Sequence, residues 1–263
     1  MLSAIVVANV LIAAAQPGFG LSTDEIAKFD LLPGWRTESG NHMTAMRVRL
    51  APGWKTYWRA PGEAGFPPQF DWTGSQNIES IAFHWPTPET FDEYGVRIIG
   101  YAGELVLPIE ISPLDKSGAM AVRANVQIGI CREVCVPMSA SIAAELPPGG
   151  ERDERILAAI SRRPLSEHEA GVRGATCSVE PTSDGLRITA TIDMPRLGSD
   201  ETAIFELPDP TVWVAGSTTS RSEGQLISAS DLFPPVGAPF MLDRSDVRIT
   251  VFGGGQAVDI QGC

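Results

Sequence analysis

The chain has 263 residues and a formal net charge of −12, with 26 Gly, 21 Pro and 4 Cys. That acidity argues against nucleic-acid binding, whose footprint is a basic patch, and neither half of the sequence hides one. An apolar content of 43% excludes wholesale disorder. Four cysteines are too few to build a disulfide miniprotein, but an even number invites pairing in an oxidising compartment.

Residues 2–15 form a largely apolar run without a charge. It falls short of the ~20 residues that a membrane span needs. Ala13-Ala14-Ala15 then offers a small-residue cleavage site before Gln16. The run reads as a signal peptide over 1–15, although no Lys or Arg precedes it. No later stretch reaches 18 apolar residues. The expectation is an exported protein that does not span the membrane after cleavage.

From 20 to 148 strand-like runs alternate with turns, as the Gly and Pro content leads one to expect. In 42–50, Thr44, Met46, Val48 and Leu50 share one face and Arg47 and Arg49 the other. The run 104–111 is a second strand, which Pro108 would place at a sheet edge. The run 121–130 is a third, with Val122, Ala124, Val126, Ile128 and Ile130 on one face. Residues 139–146 continue in the same style. Such spacing predicts a β-sandwich.

Pro147-Pro148-Gly149-Gly150 stops the pattern. Residues 151–163 then place Ile156, Leu157 and Ile160 at helical spacing, acids first and Arg162-Arg163 last, which suits the helix dipole. This predicts a short linker helix ending near Pro164. Strands return at 186–194, 203–207, 211–214, 247–252 and 257–260, and Trp213 reads as core. The expected fold is all-β: two tandem immunoglobulin-like β-sandwiches, over 16–148 and 171–263, joined by a short helical linker over 149–170.

The cysteines fall into two unlike pairs. Cys177 opens the second half and Cys263 is the last residue. A structural disulfide between them would close a long loop, removing roughly 4–5 kcal/mol of unfolded-chain entropy in the simple model. Cys131 and Cys135 follow a strand directly and are separated by Arg132, Glu133 and Val134. A three-residue hairpin loop brings facing Cα atoms to ~5.5 Å, within disulfide range. Three readings of this pair stay open by spacing. One is reversible thiol-disulfide exchange, with Arg132 favouring a thiolate and Glu133 opposing it. The second is an inert staple. The third is copper(I) binding by Cys131, Cys135 and Met138, since thiolate and thioether ligands suit that ion. Zinc would need two more ligands, and His42, His84 and His168 lie at no finger-like spacing.

One stretch carries a resemblance. Gly53-Trp54-Lys55-Thr56-Tyr57-Trp58-Arg59-Ala60-Pro61-Gly62-Glu63-Ala64-Gly65-Phe66-Pro67-Pro68, followed by Trp85-Pro86, Tyr94-Gly95, Gly100-Tyr101 and Cys131 to Pro137, resembles the periplasmic N-terminal domain of DsbD-type thiol:disulfide interchange reductases, especially the ScsB-type branch. The second half looks like the extra domain of that branch. The resemblance implies a periplasmic protein-disulfide reductase without a cofactor. Its cysteines would cycle between dithiol and disulfide, Cys135 attacking the substrate disulfide and Cys131 resolving the mixed disulfide. It also implies a cap loop over the pair, here Phe91, Asp92, Glu93 and Tyr94. The family's aromatic before Tyr-Gly is replaced by Glu93, which leaves two readings: Phe91 does the shielding instead, or the cap is weak. The implied partners are a separate membrane electron-transfer protein, because these residues include no multi-helix membrane segment, and periplasmic thioredoxin-like proteins.

Trp54, Tyr57 and Trp58 are read as core aromatics, and His84 as a packed or surface histidine. A non-catalytic adaptor, with both disulfides inert, is the remaining alternative.

Overall fold

A computed structural model describes residues 23–62, 65–93, 96–236 and 240–263. The segment 1–15, read as a signal peptide, lies outside them. After a short turn of helix, α1 (Thr23–Ile26), the first half runs β1 (Ala27–Arg36), β2 (His42–Leu50), β3 (Lys55–Gly62), β4 (Gln69–Asp71), β5 (Ser80–Phe83), β6 (Glu89–Glu93), β7 (Val96–Ala102), β8 (Glu104–Ser112), β9 (Met120–Cys131) and β10 (Cys135–Leu146). These form two antiparallel sheets, ordered β1-β2-β8-β5 and β10-β9-β3-β7-β6, with β4 also on β9.

Alternation explains the core. In β9, Val122, Ala124, Val126, Ile128 and Ile130 are buried while Arg123, Asn125 and Gln127 are exposed. Met46, Val48, Leu105 and Leu107 meet them from the other sheet. Each aliphatic side chain so buried contributes about 1.5–3 kcal/mol. Pro108, expected at an edge, instead lies in β8 between β2 and β5. Its carbonyl accepts from the His84 N–H at 2.9 Å, on the β5 side. The missing N–H therefore faces that same side, just beyond Phe83, where β5 has left the ladder. The β2 pairing loses nothing.

The helix forms over a shorter span than 151–163. It runs as α2 (Glu154–Ser161), with the Asp153 carboxylate accepting from the Arg155 N–H at 2.9 Å as its N-cap. It is no free linker. Ile156 and Ala159 are fully buried against Leu32, Trp35, Met43, Ala45 and Val106 on the outer face of the first sheet. That is why Met43 and Ala45, on the side of β2 opposite Met46 and Val48, are apolar as well.

The second half continues with β11 (Leu165–Ser166), α3 (Glu167–Ala170), β12 (Gly174–Pro181), β13 (Leu186–Asp193), β14 (Thr202–Glu206), β15 (Trp213–Val214), β16 (Thr218–Ser222), β17 (Gln225–Phe233), β18 (Arg248–Gly253) and β19 (Gln256–Gln261). Its sheets are ordered β11-β19-β18-β14 and β12-β13-β17-β15, with β16 also on β17. Ile188, Ala190 and Ile192 of one sheet pack against Ile249, Val251 and Val258 of the other. Cys177 on β12 is bonded to Cys263 after β19, so the bridge ties the two sheets together. Trp213 departs from its expected place in the core. It is 54% exposed, stacked at a tilt on Phe233 with ring centroids 5.3 Å apart.

The halves touch through apolar and ionic contacts. Trp58 meets Phe252 edge-on at 5.4 Å. The Arg59 guanidinium donates two hydrogen bonds, both 2.9 Å, to the Glu206 carboxylate. Both side chains are largely buried. Among the described residues no helix is long and apolar enough to cross a membrane.

Candidate functional site

The hairpin β9–β10 carries the cysteines at its tip. Cys135 is the cross-strand partner of Cys131, and Arg132, Glu133 and Val134 make the turn. The two sulfurs are bonded, with Cα atoms 4.1 Å apart. Their environments differ. Cys131 is 7% exposed, held between β10 and Lys55 of β3, whereas Cys135 is exposed at the start of an edge strand. Cys135 is thus the more accessible of the two.

Tyr57 is the residue that sequence reasoning placed only in the core. It is buried, at 1% exposure, but its hydroxyl lies 2.8 Å from Cys131 Sγ and 3.1 Å from Cys135 Sγ. Disulfide sulfurs carry no hydrogen, so the Tyr57 O–H donates and the sulfurs accept. The ring reaches this position because residue 129 is a glycine. A β-carbon there would stand 2.8 Å from Tyr57 Cε2 and 2.9 Å from Cδ2. The signal in the sequence was a glycine two residues before Cys131 in a strand of otherwise strict alternation.

Charged and aromatic groups surround the hairpin. The Arg132 guanidinium lies 5.2 Å from the Trp54 ring centre. Lys55 Nζ lies 4.8 Å from the centre of the Phe91 ring, so one expected cap residue reaches the strand that pairs with Cys131. Asp92 turns to Arg97, with 3.2 Å between Oδ1 and Nε. Glu93 ends β6 opposite Val96. Tyr94 falls outside the described residues. Val134 and Phe66 are exposed at 67% and 68%.

Met138 does not join the cysteines. It is 5% exposed within the core, on the opposite face of β10 from Cys135. The thioether of a Cys131, Cys135 and Met138 copper set is therefore turned away from the Cys135 sulfur. Among the described residues no group of three or more His, Cys, Asp or Glu side chains is arranged to hold a metal. His84, half-buried, bonds Glu110 at 3.0 Å through Nε2.

A strand-borne cysteine pair at a hairpin tip, in an all-β scaffold, defines a thiol:disulfide interchange domain when the sequence around it is compared with known families. Residues 21–147 match the family model described as thiol:disulfide interchange protein DsbD, N-terminal, and this stretch is a DsbD-type N-terminal domain. The whole chain is similar in structure to the N-terminal periplasmic domain of ScsB from Proteus mirabilis. That match has a TM-score of 0.68 and 23% identity, and covers 93% of this chain and 96% of that one. No curated protein matches the sequence.

Proposed function

We propose that this protein is an exported thiol-disulfide exchange protein, passing reducing equivalents from a membrane electron donor to periplasmic thioredoxin-like proteins. The observation that carries the reading is the shared hydrogen bond of Tyr57 to the two sulfurs, one exposed and one buried. The DsbD-type match over 21–147 supports a role in exchange. In this reading the two halves are tandem immunoglobulin-like sandwiches, over 16–148 and 171–263, joined through 149–170.

The chemistry is two successive displacements. The Cys135 thiolate attacks one sulfur of the partner disulfide. A bond forms between them, and the partner's other sulfur leaves as a thiolate. The Cys131 thiolate then attacks Cys135 Sγ and expels the partner's cysteine. The partner gains two electrons and takes two protons from water, while Cys131 and Cys135 return to the disulfide. Tyr57 O–H donates to whichever sulfur carries negative charge, which favours the thiolate.

Redox titration of the purified protein tests the reading. A Cys131–Cys135 couple that glutathione-range buffers reduce agrees with it. A couple that stays oxidised below about −300 mV marks an inert staple and ends it. Trapping with Cys131→Ser, which leaves Cys135 to form a stable mixed disulfide, identifies the partner.

A further inference from the structure

Lys55 stands directly across from Cys131. The two are Cα partners in the antiparallel pairing of β3 with β9. Opposed residues of such a pair project to the same face of a sheet, with β-carbons about 4.5–5.5 Å apart. The next pair along, Thr56 and Ile130, is buried, with Ile130 in the core. Lys55 and Cys131 therefore share the outer face with Tyr57.

The Lys55 side chain is also held. Its Nζ lies 4.8 Å from the centre of the Phe91 ring, which comes from β6, two strands away. An aromatic face attracts a cation placed over it. On its other side Lys55 pairs with Ala102, which brings no charge. The other cation of the hairpin is engaged elsewhere: Arg132 lies 5.2 Å from the Trp54 ring centre and passes close to Gly53. Glu133 is exposed in the turn, Glu89 is exposed two residues before Phe91, and Glu93 follows two residues after it.

Cys131 has a need for charge that Cys135 lacks. It is 7% exposed, whereas Cys135 is exposed. A free thiol is mostly protonated at neutral pH, and burial penalises its thiolate further. Yet the second displacement starts from the Cys131 thiolate. The Tyr57 O–H offers one hydrogen bond, shared between two sulfurs, and no formal charge.

We propose that the Lys55 ammonium is the counter-charge of the Cys131 thiolate in the second displacement. This rests on the exchange reading and deepens it. In that step Cys131, its proton already given to water, forms a bond to Cys135 Sγ. The bond between Cys135 and the partner's cysteine breaks, and the partner's sulfur leaves as a thiolate that takes a proton from water. Lys55 forms no bond and keeps its protons. It governs how long the partner stays attached, not how fast it is captured.

The test separates the two displacements with dithiodipyridine, which is uncharged at neutral pH, so that Lys55 does not act on the probe itself. The reduced full chain releases one thiopyridone when Cys135 is captured and a second when Cys131 resolves. Lys55→Met keeps the stem and removes the charge. It is expected to move the pH profile of the second release upward by about one unit. Near neutral pH that release should slow about threefold, because a tenfold loss of thiolate is partly offset by its greater nucleophilicity. The first release should not change, and Lys55→Arg should keep the wild-type profile. In a Cys135→Ser background, the ultraviolet absorbance of the Cys131 thiolate should show the same shift when Lys55→Met is added. An unmoved second release, an equal slowing of both releases, a Lys55→Arg profile like that of Lys55→Met, or an unshifted Cys131 titration overturns the proposal. A reduced wild-type protein that yields no second release overturns the exchange reading itself, and this inference with it.

Discussion

Gly129 and Tyr57 are fitted to each other: the ring occupies the space that any β-carbon at 129 would take, 2.8 Å from Cε2. The absence of a side chain on one strand thus sets the position of a hydroxyl that reaches two sulfurs from another.

Removing that hydroxyl tests its part in the chemistry. A hydrogen bond to a charged group is worth about 1.5–3 kcal/mol, which corresponds to about 1–2 pKa units. Tyr57→Phe is expected to raise the pKa of the reactive thiol by that order and slow exchange near neutral pH. Gly129→Ala should act in the same direction by displacing the ring. The pH profile of exchange distinguishes this from a packing defect, which would lower the rate without moving the profile. In the double variant the two effects should fail to add, as neighbours do.

The second disulfide should behave differently. Cys177→Ala with Cys263→Ala is expected to cost about 2–5 kcal/mol of stability, and to leave the reaction of the Cys131–Cys135 pair unchanged. Urea melts and a parallel redox titration report the two quantities separately.

His42 sets an acid limit on stability. It is fully buried and its Nε2 lies 2.7 Å from the Pro33 carbonyl, which can only accept, so Nε2 carries the proton. Nδ1 has no partner. Burial, with the nearby Arg36 charge, holds the imidazole pKa below its ordinary value. The unfolded chain therefore binds a proton near pH 6.5 that the folded chain refuses. Stability is expected to be flat in this term above about pH 7 and to fall as the pH drops below 6.5, by up to about 1.4 kcal/mol at pH 5.5. Carboxylates such as Glu110, whose bonds to Asn41 and His84 hold its pKa low, add their own loss only nearer pH 4. Urea midpoints at pH 7.5 and 5.5 measure the difference, and His42→Gln should shrink it.

Arg59 and Glu206 clamp the halves. Glu206→Gln removes the charge while keeping the shape, and it is expected to cost about 1.5–3 kcal/mol. Differential scanning calorimetry should show a lower midpoint. An unchanged midpoint would mean that the remaining contacts, Trp58–Phe252 and the Arg97–Thr202 hydrogen bond among them, hold the interface without this ion pair.

Much of the scaffold was legible because alternation is a local signal. The faces of β9 could be read from Val122 to Ile130, and the all-β character from short runs between turns. What stayed hidden depended on neighbours distant in sequence. Pro108 is tolerated in an inner strand only because β5 ends at Phe83. Ile156 and Ala159 revealed a helix, but not that the far face of β2 would receive it. Trp213 has the composition of a core residue and lies beside a groove that only both halves together create. At the site, the cysteine pair stood out by spacing. Tyr57 did not, since nothing local connects it to sulfurs more than 70 residues away.

Cys131 and Cys135 are facing rungs of one ladder, so the hydrogen bonds that hold them side by side do not depend on the bond between them. In the same loop-closure model, the short ring they close is worth about 2 kcal/mol, less than half the value for a loop as long as that of Cys177 and Cys263. Neither the hairpin register nor the packing of the Tyr57 ring on Gly129 is made through that bond. For the exchange proposed above, this would make the protein a reusable carrier, loaded and unloaded over many cycles with no step in which any part of it has to refold.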